Sequence, residues 1–303
     1  MNIGESLKFF RTKKNITQKE MIPQNIDPST YSRIEGNRRP LRINDLQSII
    51  AKLEISVDEF FSFATLDEEQ KWFREHYYYC SNHLSNKEAK KILVKYYTSI
   101  DIKPIKTLRE LSNYIAIKSL FHNKWEEIGK INDDEVTEIY NLLVSKHYFF
   151  QYDYILMNNL IAFFTTKQTS ILMMKAFPIL DEENRDSTTL TFAYNTWLNL
   201  ISIKLYNNEY ALAEDYIKQS YKFDKSKTNY NFRLNIRYLA HLTRYLQTAD
   251  PDDMKEISLF IQLLKDIGDE EFARRVDDEV RTLTRNTSNI DKARYAATAI
   301  RLE

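Results

Sequence analysis

Two groups of side chains in this sequence have the types and spacing to do chemistry. The first follows Asp27-Pro28: Ser29, Thr30, Ser32 and Arg33, then Arg38, Arg39 and Arg42. Hydroxyl and guanidinium groups hydrogen-bond phosphate oxygens, and an arginine on a helix in a major groove reaches guanine O6 and N7 as a bidentate pair. The second is a row of amides. Asn123, Asn159, Asn195 and Asn231 stand 36 residues apart, and Asn199 and Asn235 repeat that step. Each amide carries two donors and an acceptor, which is what the backbone of an extended peptide requires. A third constellation, His76, Cys80 and His83 at i, i+4 and i+7, has soft-metal ligand types but lacks a clear fourth ligand. The intervening Tyr77-Tyr78-Tyr79 reads as a packed helix, so no metal and no cofactor is expected.

Much other chemistry is excluded by counting. The four glycines stand at 4, 36, 129 and 268, no two within one loop, so Walker A, GxGxxG and GxSxG are all absent. No HExxH spacing occurs among the five histidines. An enzyme is the least supported class. Four Gly and six Pro in 303 residues compare with a usual combined share of ~12%. Turn-rich β architectures need more of both, so the expected fold class is all-α. The longest uncharged run is the 17 residues Ser187 to Ile203, eight of them Ser, Thr or Asn, so no membrane span is expected. One cysteine permits no internal disulfide, and the first residues lack the basic-then-apolar pattern of a leader; both fit a cytoplasmic protein.

The elements that must position these groups fall into a small basic head and a long helical body. Residues 1–42 carry nine Lys/Arg against four acids, whereas 43–64 carry one Lys against four acids. Ile3, Leu7 and Phe10 give a first helix its apolar face. Thr17 and Glu20 form a T-x-x-E capping box that starts a second. Asp27 caps a third, with Pro28 at its first position, Tyr31 and Ile34 inward, and Ser29, Thr30, Ser32 and Arg33 outward. Asn37 or Gly36 supplies the left-handed helix end. A fourth helix carries Ile43, Leu46, Ile49, Ile50 and Leu53, and a fifth Val57, Phe60 and Phe61. The join is expected at Ser62–Leu66, short and stiff, giving domains of 1–65 and 66–303.

In the body, four acidic clusters (Asp133-Asp134-Glu135, Asp181-Glu182-Glu183, Asp252-Asp253 and Asp269-Glu270-Glu271) read as helix starts, where acids meet the positive end of the dipole. Trp125 and Trp197 are 72 apart, twice the asparagine step, and a period near 36 is close to the ~34 of a helix–turn–helix solenoid repeat. Trp197, Leu200, Tyr210, Ala213 and Ile217 resemble the tetratricopeptide pattern, with Ile201 in place of its Gly and Lys225 in place of its Pro. Thr188, Asn195, Asn199 and Ser202 share one face of a helix opposite Phe192, Trp197, Leu200 and Ile203. Such amides line a ligand groove or are buried between repeats. Asn159, Asn231, Asn235 and Arg237 extend the row. Ile290, Ala293, Ala296, Ala297 and Ile300 give the last helix a small apolar stripe suited to capping the solenoid or to pairing across a two-fold axis.

Ile16-Thr17-Gln18-Lys19-Glu20, Ser29-Thr30-Tyr31-Ser32-Arg33-Ile34-Glu35 and Arg38-Arg39-Pro40 resemble the Xre/phage-repressor-like helix-turn-helix over about residues 3–61. Two departures stand out: Ile22 replaces the usual small Ala, and the turn after it is one residue short. The resemblance implies Gln18 on a phosphate, an Arg11–Glu35 pair, and a DNA-contacting set of Gln18, Ser29, Thr30, Ser32, Arg33, Asn37, Arg38 and Arg39. The whole chain is similar in plan to the Rgg/MutR-like branch of the peptide-responsive RRNPP regulators, which follow this head with some five tetratricopeptide-like helix pairs. Tyr152 to Asn159 looks like that family's "YELxLFxN" stretch. The likeness implies a homodimeric regulator that binds double-stranded operator DNA and a short signalling peptide in quorum sensing. A second reading keeps the regulator but uses the repeats only for dimerisation or protein docking.

Overall fold

In the computed structural model, which describes residues 1–23, 26–225 and 227–285, the shortage of glycine and proline is expressed as sixteen α-helices and one 3-10 turn, with no strand among the described residues. The chain divides into two compact units between Tyr79 and Cys80.

The first unit holds α1 (Ile3–Lys13), α2 (Gln18–Met21), α3 (Pro28–Glu35), α4 (Ile43–Leu53), α5 (Val57–Phe63) and most of α6 (Glu68–Asn82). The local start signals act as written. Asn2 and Thr17 form reciprocal capping boxes with Glu5 and Glu20, Asp27 accepts from the Thr30 amide, and Ser56 from that of Glu59. Each such cap contributes about 1 kcal/mol. The second helix is only four residues long, and its end has a plain cause: Pro23 disfavours helical backbone at Ile22, which is extended at φ −66°, ψ 121°. Leu7, Phe10, Met21, Tyr31, Ile49 and Phe60 meet in the core. Of the two candidates for the left-handed position, Asn37 takes it (φ 55°) and Gly36 does not (φ −82°). Two core expectations fail: Ile43 is 75% exposed and Val57 54%. Each is the first residue of its helix, where the side chain projects beyond the packed turns. Around the expected join, the Met1 ammonium donates to Phe63 O (3.1 Å) and Thr65 N to Met1 O (3.0 Å), and Asp67 accepts from Gln70 N (3.1 Å) at the start of α6.

The second unit begins with α7 (Lys87–Asp101), α8 (Leu108–Phe121), α9 (Asp133–Val144), α10 (Gln151–Leu160) and α11 (Thr166–Ala176). After the 3-10 turn Glu182–Asn184 come α12 (Ser187–Tyr206), α13 (Tyr210–Ser220), α14 (Tyr230–Thr248), α15 (Pro251–Asp266) and α16 (Glu270–Thr284). Helices α8, α10, α12 and α14 pack each on the next as an inner row, flanked by α7, α9, α13 and α15. Every residue of α10 from Asp153 to Leu160 is buried, as are Ala193 to Ile201 of α12. A helix surrounded by neighbours cannot carry a charged face, which is why α12 is free of charge for so long. At the tetratricopeptide-like window Trp197, Leu200, Ala213 and Ile217 are buried, and the Trp197 indole donates to Tyr216 O at 3.1 Å. Three acidic clusters open α9, α15 and α16 as expected. The fourth does not: Asp181-Glu182-Glu183 belongs to the 3-10 turn, and α12 starts later with Asp186 as its cap. No described helix is long and apolar enough to cross a membrane.

Candidate functional site

On the head, α3 presents Ser29 and Arg33 exposed, with Thr30 and Ser32 half-buried, and Arg38 and Arg39 lie exposed just beyond its end. Arg39 folds back so that its guanidinium donates to Thr30 Oγ1 at 2.8 Å. Asp27 accepts from the Ser29 and Thr30 hydroxyls, which hold its carboxyl well below the usual range. Arg33 and Arg38 make no ion pair among the described residues. This surface therefore offers two unneutralised guanidinium groups beside the Ser32 hydroxyl, the Ser29 and Thr30 hydroxyls being taken by Asp27, and guanidinium is the chemistry that phosphate and a guanine edge accept.

Two of the expected contact residues have work inside the fold. The side chain of Asn37 accepts from Gly4 N (3.1 Å), tying the end of α3 to the start of α1. The approach is so close that a Cβ at position 4 would stand 2.4 Å from Ile34 O. Gln18 donates through Nε2 to Glu35 (2.6 Å) and so joins a polar cluster beneath the surface. The Arg11–Glu35 pair implied by the family likeness is its centre: Nε reaches Oε1 at 2.5 Å and Nη2 reaches Oε2 at 3.1 Å, while Nη1 donates to Ile16 O at 2.9 Å. Tyr31 adds a bond to Oε1 at 3.0 Å. Burial alone pushes the Glu35 carboxyl up, but the bonds from Arg11, Gln18 and Tyr31 outweigh it and hold the group below its ordinary value. Burial drives Tyr31 strongly upward. The cluster locks α1, α2 and α3 together behind the exposed arginine face.

In the body the amide row is real but is mostly turned inward. Asn199 donates to Asn158 Oδ1 at 2.6 Å, joining α12 to α10. Asn159 donates to Ile155 O (2.8 Å), and its Oδ1 is buried without a hydrogen-bond partner. Asn235 is wholly buried and donates to both oxygens of Asn231, at 2.8 Å to the backbone and 2.7 Å to the side chain; its own Oδ1 is likewise unpartnered. Asn158 is not among the amides the sequence pattern singles out for binding, although it adjoins Asn159; nothing in a linear pattern says which of two neighbouring amides faces the next helix.

Asn195 and Asn231 do meet at a cavity. It has a volume of about 440 Å³ and lies between α12, the 3-10 turn and the α13–α14 loop, with Tyr194, Leu198, Tyr230 and Phe232 among its walls. The Tyr194 hydroxyl donates to Glu182 at 2.5 Å, and the same carboxylate accepts from Asp224 N at 3.1 Å, which fixes the loop against α12. A second cavity of about 640 Å³ adjoins it, sharing Asp224, Lys225, Tyr230 and Phe232, and takes in Arg237. Arg237 is already paired with Glu256 at 2.6 Å. The structure thus gathers Asn195, Asn231 and Arg237 around two neighbouring hollows, and leaves Asn159, Asn199 and Asn235 in the packing behind them. An amide-lined, aromatic-walled hollow of this size holds a few residues of an extended chain.

The other candidates fall away from any site. Cys80 is buried, its thiol pushed up to about 11 by burial, and the His76 ring stacks on Trp72 with Nδ1 2.8 Å from Trp72 O. No three His, Cys, Asp or Glu side chains come together as a metal site among the described residues. Ile290, Ala293, Ala296, Ala297 and Ile300 lie outside the described residues.

No protein-family model and no curated protein sequence matches this chain. Solved structures do. A bacterial peptide pheromone/receptor complex, 20% identical, aligns over 94% of this chain and 99% of its own with a TM-score of 0.74. The PrgX/cCF10 complex, also 20% identical, covers 93% of this chain and 99% of its own at 0.72. The SHP pheromone receptor Rgg2 of Streptococcus dysgalactiae, 16% identical, covers 93% and 99% at 0.67. The fold is that of these receptors. It is the all-helical architecture expected from the sequence, with a helix-turn-helix head followed by stacked helix pairs.

Proposed function

We propose that this chain is a DNA-binding transcriptional regulator whose helical repeats bind a short signalling peptide, and that the peptide controls DNA binding. In this reading residues 1–65 bind double-stranded DNA through α3, and residues 66–303 hold the peptide and make a homodimer that places two heads on two half-sites. The protein then works in the cytoplasm, where its operator is. The observation that carries the reading is the fold itself, shared over more than nine-tenths of the chain with the peptide pheromone/receptor complex. The amide-lined hollow at α12–α14 and the unpaired arginines on α3 and just beyond its end are the surfaces this function needs.

In mechanism, the N–H groups at the start of α2 and the Arg38 guanidinium hold phosphates, and Arg33 enters the major groove. In the body, an extended peptide satisfies its backbone on Asn195 and Asn231 and buries its side chains against Tyr194, Leu198 and Phe232. Such burial contributes ~25 cal/mol per Å². A ligand changes DNA binding only through a difference in its affinity for two arrangements of the protein.

The test combines a mobility shift on the DNA upstream of the gene with calorimetry, using synthetic peptides from short secreted reading frames beside it. A salt-sensitive shift whose midpoint moves on adding peptide is expected. A shift that no peptide alters returns the protein to the docking-only reading, and no shift at low salt removes the regulator. Light scattering at micromolar concentration checks the dimer, and a monomer with and without DNA counts against it.

A further inference from the structure

The 640 Å³ cavity has a charge character the amide row does not account for. The loop from α13 into α14 and the first turn of α14 place Lys222, Lys225, Lys227 and Arg233 within twelve residues, against one acid, Asp224. That acid also lines the hollow, but it is 5% exposed and its carboxylate is committed to the loop, accepting from the Thr228 and Asn229 amides at 3.1 and 3.2 Å. Its role is to brace the loop, where Asp224 and Lys227 both adopt left-handed backbone (φ 49° and 56°). Arg237 is neutralised by Glu256, whereas Lys222, Lys225, Lys227 and Arg233 have no ion pair among the described residues. All four line the same hollow, beside the N-terminus of α14, whose dipole adds positive potential. Tyr230, 70% exposed, stands at the boundary with the smaller cavity that holds Asn195 and Asn231.

Like charges gathered on one concave surface repel one another, and a cleft of one sign attracts the opposite charge. We propose that this cavity is a carboxylate subsite: the peptide taken by the repeat unit presents a carboxylate to Lys222, Lys225, Lys227 and Arg233 while its backbone lies on the neighbouring amides. The inference rests on the peptide reading above and adds the chemical class of the ligand. The carboxylate comes either from a free C-terminus or from an Asp or Glu side chain. A nucleic acid strand would also suit cations and tyrosines, but the hollow adjoins amides placed for a peptide backbone and holds only a few residues.

The experiment uses the full-length chain and two pools of random heptapeptides, one with free C-terminal carboxylates and one with C-terminal amides, with retained peptides identified by mass spectrometry. If the C-terminus is the source, the free-acid pool is retained about tenfold more strongly, the value of one charge-assisted contact. If a side chain is the source, both pools are retained and both are enriched in Asp and Glu. In either case K222Q/R233Q removes the preference while the melting temperature stays unchanged. Equal retention without acidic enrichment, a preference that survives K222Q/R233Q, or displacement by oligothymidine with no retained acidic peptide overturns the carboxylate subsite. Retention of neither pool removes the peptide reading as well.

Discussion

The head and the body use similar polar side chains in opposite ways. On the head, Ser29, Arg33, Arg38 and Arg39 of the expected DNA-contacting set are exposed, and a separate cluster, Arg11–Glu35 with Gln18 and Tyr31, holds the helices beneath them. Contact and support are divided between different residues except at Gln18 and Asn37, which are exposed and also bonded within the fold. In the body they are not divided. Asn199 is buried and bonded to Asn158 of α10, and Asn159 and Asn235 are buried and bonded to Ile155 and Asn231 of their own helices, so the same kind of amide that lines the cavity also holds the packing together. A short helix on a small bundle has a wet side where ligand-facing groups can be varied freely. A helix enclosed by a solenoid does not, so a polar group there must first satisfy its neighbours.

The largest test of the comparison strikes the head's support. Glu35→Ala leaves the Arg11 guanidinium without its buried partner and should cost about 3–5 kcal/mol, read by denaturation of the head signal. Loss of that stability with DNA contacts otherwise unchanged would separate support from contact; no loss would merge them. The same group sets a pH dependence. Its folded pKa lies below its ordinary value of 4.5, so its contribution is fully present above that value and fades as pH falls through the depressed one. Acid titration of the head should therefore show a loss that Glu35→Gln removes.

Next in size is the body's amide tie. Asn199→Ala leaves Asn158 Oδ1 without its donor and should destabilise the repeats by about 1–3 kcal/mol. Paired with Asn158→Ala in a double-mutant cycle, it should show a coupling that neither mutation gives alone. Unchanged stability with weakened peptide binding would reverse the assignment and make Asn199 a contact residue like Asn195. Of similar size but confined to function, Arg33→Ala should cost about 1–3 kcal/mol on the operator, relax preference at one base pair and leave the melting temperature in place. An unaltered mobility shift would take α3 out of the groove. The smallest effect is expected at Asn37. Asn37→Gly keeps the left-handed turn and loses only the bond to Gly4 N, for about 1 kcal/mol of stability; a larger fall in DNA affinity than in stability would make the side chain a contact after all.

What the sequence determined by itself is local. Thr17 with Glu20, Asp27 with Pro28, and the Gly36-Asn37 pair after α3 are signals read and satisfied within a few residues, so these helix starts and this end, and the inward aim of Tyr31 and Ile34, were legible, though not which of the pair turns left-handed. The scarcity of Gly and Pro fixed the fold class for the same reason, because turns are local. The exceptions were also of local origin but needed geometry: Ile43 and Val57 fit an apolar pattern yet stand where a helix has no turn above them. Only the tertiary structure decided what lies between helices far apart in the chain. Asn199 meets Asn158 across 41 residues, and Asp224 N meets Glu182 across 42, because α12 stacks on α10 and the α13–α14 loop closes over the 3-10 turn. A periodicity of 36 residues shows that such amides recur. Which of them turns into the packing and which into a cavity depends on how one helix is rotated against the next, a property of the stack and not of either segment alone.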